Sequence, residues 1–238
     1  NGKLEFDKMF APGDKALVLV EQDEQGNILF VNMLDHYRLN VELLIVLVFM
    51  GVLILFSGAT GLRTIISFVF SLLCIWKVLI PLLLKGYHPM LVGLCIGVTM
   101  AVVTLILVAG FTKKAYCAIL GSGVASIITC LLAVGFGYLF RIDGTVMQWS
   151  ESLLYAGFEH LNLTLIYQAS IYLACSGAMI DLAVDISAAL DEIVEKKPDL
   201  SVREILQSGM NIGKSVVGSQ ATTLLLAYMG SFIAVMMV

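Results

Sequence analysis

The chain has 238 residues, of which 59% are hydrophobic and only 13% charged, with a formal net charge of −4. Soluble domains carry roughly 25% charged residues, so this balance, with a mean hydropathy of +0.95, indicates a polytopic membrane protein. A pI near 5.3 argues against nucleic acid as a partner, since that needs a basic face, and leaves the lipid bilayer as the expected surrounding.

Residues 1–40 differ from the rest. "ALVLV" (16–20) and "NILFVNM" (27–33) are β-prone, "EQDEQGN" between them is a turn-like link, and "APGD" ahead of them is a turn signal. The expectation is a β hairpin, the remnant of a small β domain standing on the membrane. "DHYRLN" leads to the bilayer, with Tyr37 and Arg38 as interface anchors.

Six stretches in 41–238 are long enough to cross the hydrocarbon layer, which takes about 20 helical residues. They run at about 41–59, 64–84, 89–111, 115–140, 162–191 and 208–236. The fold expected is therefore an all-α polytopic membrane domain of about six transmembrane helices behind a small extracellular hairpin. "GATGLR", "KGYHP" and "FTKK" are short links, which favour antiparallel neighbours. Gly93 and Gly97, Ser122 and Ser126, and Gly209 and Gly213 have the small-xxx-small spacing of close helix contacts.

Orientation follows from the cations. Arg63, Lys113, Lys114, Lys196, Lys197, Arg203 and Lys214 fall on one side and Lys85 and Arg141 on the other, so the richer side is expected to be cytoplasmic. The hairpin then lies outside, as does loop 141–161, whose Trp149, Leu153, Leu154, Tyr155 and Phe158 among polar residues fit an interfacial helix. A plain extracellular linker is the alternative for that loop.

Asp181 and Asp185 carry the candidate chemistry. At 100° per residue they share a stripe of helix five with Ser170, Ala174, Gly177, Ala188 and Glu192. An aspartate facing lipid near the helix centre costs about 2.5–3.5 kcal/mol, so the stripe is expected to face protein or water. Ile171, Leu173, Ile180, Leu182 and Val184 would then face lipid.

The link "EKKPDLSVREI" stops helix five before Pro198, and Ser201 with Glu204 forms a capping box that starts helix six. Counting outward from the turn sets Asp185 level with Asn211, and Asp181 level with Lys214 and Ser215. Asn211, Lys214, Gly218 and Thr222 form a polar stripe there, with Ser219 close by. Two readings stay open. Asp181 or Asp185 pairs with Lys214 as a structural counter-charge. Alternatively the two carboxylates cannot both ionise cheaply, and take up a proton or hold a cation with Asn211, Ser215, Ser219 and Thr222 as polar lining.

Cys74, Cys95, Cys117, Cys130 and Cys175 stand singly in apolar stretches without CxxC or Cys/His spacing, so neither zinc, another metal nor a cofactor is expected. His36, His88 and His160 read as interfacial residues near helix ends. The absence of an initial methionine and of a polar tail after "SFIAVMMV" leads us to expect that both ends are cut. An intramembrane aspartyl protease needs aspartates converging from different helices and a GxGD signature, neither of which occurs, so no enzyme is expected.

Residues 176–231, "SGAMIDLAVDISAALDEIVEKKPDLSVREILQSGMNIGKSVVGSQATTLLLAYMGS", resemble the YibE/F-like family of bacterial multipass membrane proteins, as do "GDKALV", "LKGYHP" and "GFTKKAYCAILGS". The resemblance implies an extracellular β domain followed by several spanning helices in a bacterial cell membrane, often encoded as paired neighbours, with no activity firmly assigned. It thus implies a paired homologue or a homo-oligomer as partner. Lys214 departs from the arginine of the family's pattern; it keeps the cation but not the bidentate fork. The "GAMIDLAVDISAALDEI" and "SGMNIGKSVVGSQATTLLLA" helices bear a fainter likeness to half of an RND or SecD/SecF-type transporter, which would imply proton-coupled movement. The leading expectation is a transporter or an ion- or proton-coupled membrane component using the aspartate pair. The alternative is a membrane scaffold or receptor subunit.

Overall fold

Long apolar runs between short polar links leave the backbone little choice but helix, because lipid offers no partner for an open N–H or C=O. The computed structural model describes residues 9–23, 27–147, 150–231, 233 and 237. The chain forms two compact units, Asn1–Gly61 and Leu62–Val238.

In the first unit, β1 (Ala16–Gln22) and β2 (Ile28–His36) pair antiparallel, with Val20 opposite Val31 and Ala16 opposite His36. The expected hairpin is therefore present; the tip of its turn, 24–26, lies outside the described residues. Asp14 makes the "APGD" turn by accepting from Ala11 N at 2.7 Å, and it approaches His36 Nε2 at 3.5 Å. The Phe10 ring stacks on His36 with centroids 4.2 Å apart. Arg38 donates to Asp35 at 2.9 Å just before α1 (Leu39–Cys74).

Helix α1 is two helices in one run. Gly58 has φ 57° and ψ −129°, which no helix contains, and a Cβ on Gly61 would sit 2.5 Å from the Leu53 carbonyl oxygen. Eight residues of straight helix would separate those positions by about 12 Å, so the chain doubles back where "GATGLR" is expected to link two helices.

In the second unit a π-turn, Ile75–Leu79, carries α1 into α2 (Ile80–Leu84). Pro81 explains it: proline has no N–H to give the Lys77 carbonyl and its ring would strike that oxygen, and the wider turn makes room. Lys77 Nζ lies 4.2 Å from the centre of the Trp76 ring.

The core is built by α3 (Pro89–Ala109), α4 (Lys113–Leu139) and α6 (Leu163–Lys196). Small residues let their backbones approach. A Cβ on Gly93 would lie 3.4 Å from Ala169 Cβ, and one on Gly97 would lie 2.9 Å from the Tyr172 hydroxyl. Ser122 and Ser126 are buried on α4, and Tyr172 and Leu105 are fully enclosed. Helix α7 (Val202–Ser231) lies along α6, with Gly209 against Leu190 and Gly213 against Ile186. All three small-xxx-small pairs thus mark helix contacts.

Caps follow the sequence. Thr112 and Asn162 accept from Ala115 N and Leu165 N at the starts of α4 and α6. Ser201 N donates to Glu204 Oε2 at 2.9 Å, and Glu204 N donates back to Ser201 Oγ at 3.4 Å, which is the expected capping box. Loop 141–161 holds a 3-10 turn, Gly144–Val146, and the short α5 (Ser150–Tyr155), while Trp149 lies outside the described residues.

Three helices end in the same two-bond motif, in which a left-handed residue follows the last turn. After α2, Gly86 N bonds Leu83 O and Tyr87 N bonds Leu82 O; after α5, Gly157 and Phe158 do the same with Leu154 and Leu153. After α4 the bonds are Arg141 N to Tyr138 O and Ile142 N to Gly137 O. There the left-handed position, φ 48°, is held by arginine instead of glycine.

Among the described residues, four helices are long and apolar enough to cross a membrane: Leu39–Leu84, Pro89–Ala109, Lys113–Leu139 and Leu163–Lys196. The first is the run interrupted at Gly58. Helix α7 has the length, 30 residues, but its Asn211, Lys214, Ser219 and Gln220 dilute its apolar character. The last residues of the expected sixth span, 232 and 234–236, lie outside the described residues.

Two expectations follow. A Cβ on Gly144 would collide with the backbone at Leu163 and Thr164, whereas one on Gly121 meets nothing. Gly144→Ala should therefore cost about 1–3 kcal/mol while Gly121→Ala gains about 0.5–1 kcal/mol in helix propensity, read as opposite shifts of melting temperature in detergent. The hydrogen bonds from Ser201 hold the Glu204 carboxyl below its ordinary range. A depressed carboxyl supports the fold above its unfolded pKa and loses that support as pH falls through the folded value. Amide protection factors at 202–206, corrected for the intrinsic slowing of exchange in acid, should fall as the pH drops below the ordinary glutamate range, and Glu204→Gln should abolish that fall.

Candidate functional site

Asp181 and Asp185 stand one helical turn apart on α6, and both are exposed. So are the other members of their stripe, Ser170, Ala174, Gly177, Ala188 and Glu192. The expected facing is thereby reversed: Ile171, Leu173, Ile180, Leu182 and Val184, assigned to lipid above, are the half-buried set. The reason lies in what α6 packs with. Its buried residues are Leu163, Gln168, Ala169, Tyr172 and Ser176. Tyr172 and Ser176 lie roughly 140–180° around the helix from Asp185.

The α6–α7 contacts fix the register. Leu190 meets Gly209 and Ile186 meets Gly213, so facing positions sum to 399 (190 + 209 and 186 + 213). Asp185 is thus level with Lys214, and Asp181 with Gly218. This is three residues, or about 4.5 Å of helix, from the register expected by equal counting. Equal counting failed because α6 runs on to Lys196 while α7 starts at Val202, so the turn is not centred on Pro198.

No ion pair joins Lys214 to either aspartate among the described residues. Lys214 instead edges a groove of about 520 Å³ between α6 and α7, whose walls include Ile186, Leu190, Ile205, Met210 and Val217. Asn211, Ser215, Ser219 and Thr222 are exposed on α7, and Thr222 Oγ1 donates to the Gly218 carbonyl at 3.2 Å. The structure thus sets Asp185 and Lys214 at one level and Asp181 a turn away, with all three residues exposed.

The ion pair that does link helices is one the sequence reading missed. Lys114 Nζ at the start of α4 lies 3.4 Å from Asp191 Oδ2 near the end of α6. Both residues are partly exposed, so the pair marks a level more than it stabilises. Along α6, Asp185 lies about 9 Å and Asp181 about 15 Å further in from that level. Among the described residues no three of His, Cys, Asp and Glu converge.

A second polar feature also escaped the sequence reading. Gln168 is 5% exposed and Tyr172 0%, and among the described residues Gln168 Oε1 has no hydrogen-bond partner. Gly137 makes room for Gln168, since a Cβ there would collide with the Gln168 amide. A buried polar atom left unpaired costs about 1–3 kcal/mol. A glutamine inside "LTLIYQASIYL" was the available signal.

Apolar helices packed through small residues, with carboxylates and a lysine carried within long hydrophobic segments, define a polytopic helical membrane protein. Its family is equally plain: the YibE/F-like protein model matches residues 45–238, and the chain belongs to the YibE/F-like family. No curated protein and no solved structure matches the chain. The fainter likeness to half of an RND or SecD/SecF-type transporter has no support from these comparisons.

Because neither Asp181 nor Asp185 has an ion pair or a side-chain hydrogen bond among the described residues, replacing them should not weaken the chain. Asp181→Asn and Asp185→Asn should each stay within about 0.5 kcal/mol of the parent in detergent unfolding. A larger loss would reveal a partner for the carboxylates within the chain.

Proposed function

We propose that this protein is an ion- or proton-coupled component of a bacterial cell membrane, with Asp181 and Asp185 as the coupling pair. One observation carries the reading: two carboxylates a turn apart, inward of the Lys114–Asp191 level, with no ion pair among the described residues. A pair of that kind is not ionised twice in a low dielectric, so it exchanges a proton or shares a cation at little cost. Asn211, Lys214, Ser215, Ser219 and Thr222 on α7 lie alongside as polar lining.

The proposed topology has six crossings, counting the run broken at Gly58 as two and α7 as the last. The hairpin and Arg141 then lie outside, and Lys113, Lys114, Lys196, Lys197 and Arg203 lie in the cytoplasm. A second reading, a membrane scaffold or receptor subunit, is favoured by the outward direction of both polar stripes. A paired homologue or a second copy would cover them.

Proteoliposomes loaded with a pH-sensitive dye separate the two. Under an imposed Na⁺ or K⁺ gradient, the parent protein should move protons and the Asp181→Asn, Asp185→Asn double variant should slow that flux at least about tenfold, as loss of a proton-transfer group does. Unchanged flux in the double variant would sink the coupling role. Absent flux from the parent, with a stable copurifying homologue, would favour the scaffold.

A further inference from the structure

The end of the second unit opposite its lysine-rich links holds a cavity of about 560 Å³ between the end of α4 and the start of α6. Val134, Leu139, Ile142 and Leu165 supply apolar wall, and Arg141, Thr164 and Gln168 supply the polar groups. Size and lining match those of small-molecule sites, which are mostly apolar with a few placed polar atoms.

Two details, one at Arg141 and one at Gln168, show that these polar groups are placed at a cost. Arg141 occupies a left-handed position that the same chain gives to glycine in its two other motifs of this kind, Gly86 and Gly157. Its guanidinium has no ion pair among the described residues. Gln168 is nine-tenths buried, lines the cavity, and has an Oε1 with no donor among the described residues. Gly137, whose missing Cβ admits the Gln168 amide, lines the same cavity. Thr164 Oγ1 accepts from Gly144 N at 3.1 Å, which leaves the hydroxyl hydrogen free to donate.

We propose that this cavity binds an anion that carries its own O–H donor on an apolar body. Arg141 and Thr164 take the anionic group, Gln168 Oε1 accepts from the ligand hydroxyl, and the aliphatic wall holds the body. A bare anion would leave Oε1 unsatisfied, and a neutral apolar molecule would satisfy neither end. Two sources supply this chemistry: a membrane lipid with a hydroxylated anionic headgroup, such as phosphatidylglycerol, and a free hydroxy acid of aliphatic character. The site is separate from the aspartate pair and does not rest on the coupling role.

The full chain in phosphatidylcholine nanodiscs tests this. One arm titrates labelled 2-hydroxy-4-methylpentanoate against 4-methylpentanoate; the other adds phosphatidylglycerol or phosphatidylmethanol, a phosphodiester of the same charge without a hydroxyl, and counts bound lipid by native mass spectrometry. In the arm that reports the true source, the hydroxylated ligand should bind at least about tenfold tighter than its partner without the hydroxyl, the weight of one hydrogen bond to a buried acceptor. Gln168→Leu should erase that preference. Arg141→Gly should weaken binding about tenfold or more while raising the melting temperature, because glycine relieves the left-handed strain. The Asp181→Asn, Asp185→Asn double variant should bind as the parent does. Failure of both arms, or binding undiminished in Arg141→Gly, overturns the proposal.

Discussion

The second unit rests on one constraint: helices in lipid gain little from burying apolar surface, so they must hold together by approaching closely. Gly93 and Gly97 on α3 and Ala169 on α6 bring two backbones near enough for Tyr172 to be wholly enclosed. Ser122 and Ser126 give α4 the same slimness. The positions of the cavity, the aspartates and α7 follow from this three-helix contact, because it decides which face of α6 points inward.

Much of this was legible in the sequence because the signals are local. Hydrophobic length placed the helices, "GATGLR" and "FTKK" placed the reversals, and Ser201 with Glu204 placed the start of α7 to the residue. Small residues at four-residue spacing named the contacts. The facing of α6 was not legible. Its acidic stripe also carries small residues, Ala174, Gly177 and Ala188, so it resembled a packing face; the face that packs is polar and aromatic, with Gln168 and Tyr172. Nothing in a single sequence tells two such faces apart before their neighbours are known.

The candidate site divides in the same way. Residue types came from the sequence, and Asp181, Asp185 and Lys214 do occupy neighbouring levels of adjacent helices. Their register depended on where the turn is centred, which a count cannot give. Arg141 and Gln168 were hidden for another reason. An arginine after a helix and a glutamine within one are unremarkable as letters, and become telling only as a left-handed φ and an unpartnered amide.

Helix α6 is held unevenly along its length. Every buried residue it has among those described falls between Leu163 and Ser176, where Gly144 also abuts its first turn. From Gly177 to Lys196 it borders open grooves of about 420 and 520 Å³. Mechanically this is a lever held firmly at one end and lightly along the other, by the Lys114–Asp191 pair and the two glycine contacts of α7. Twenty residues of helix make an arm of about 30 Å, so a tilt of about 5° at the fulcrum sweeps the Lys196 end through about 2.5 Å. Asp181 and Asp185, partway along the arm, ride on whatever moves it.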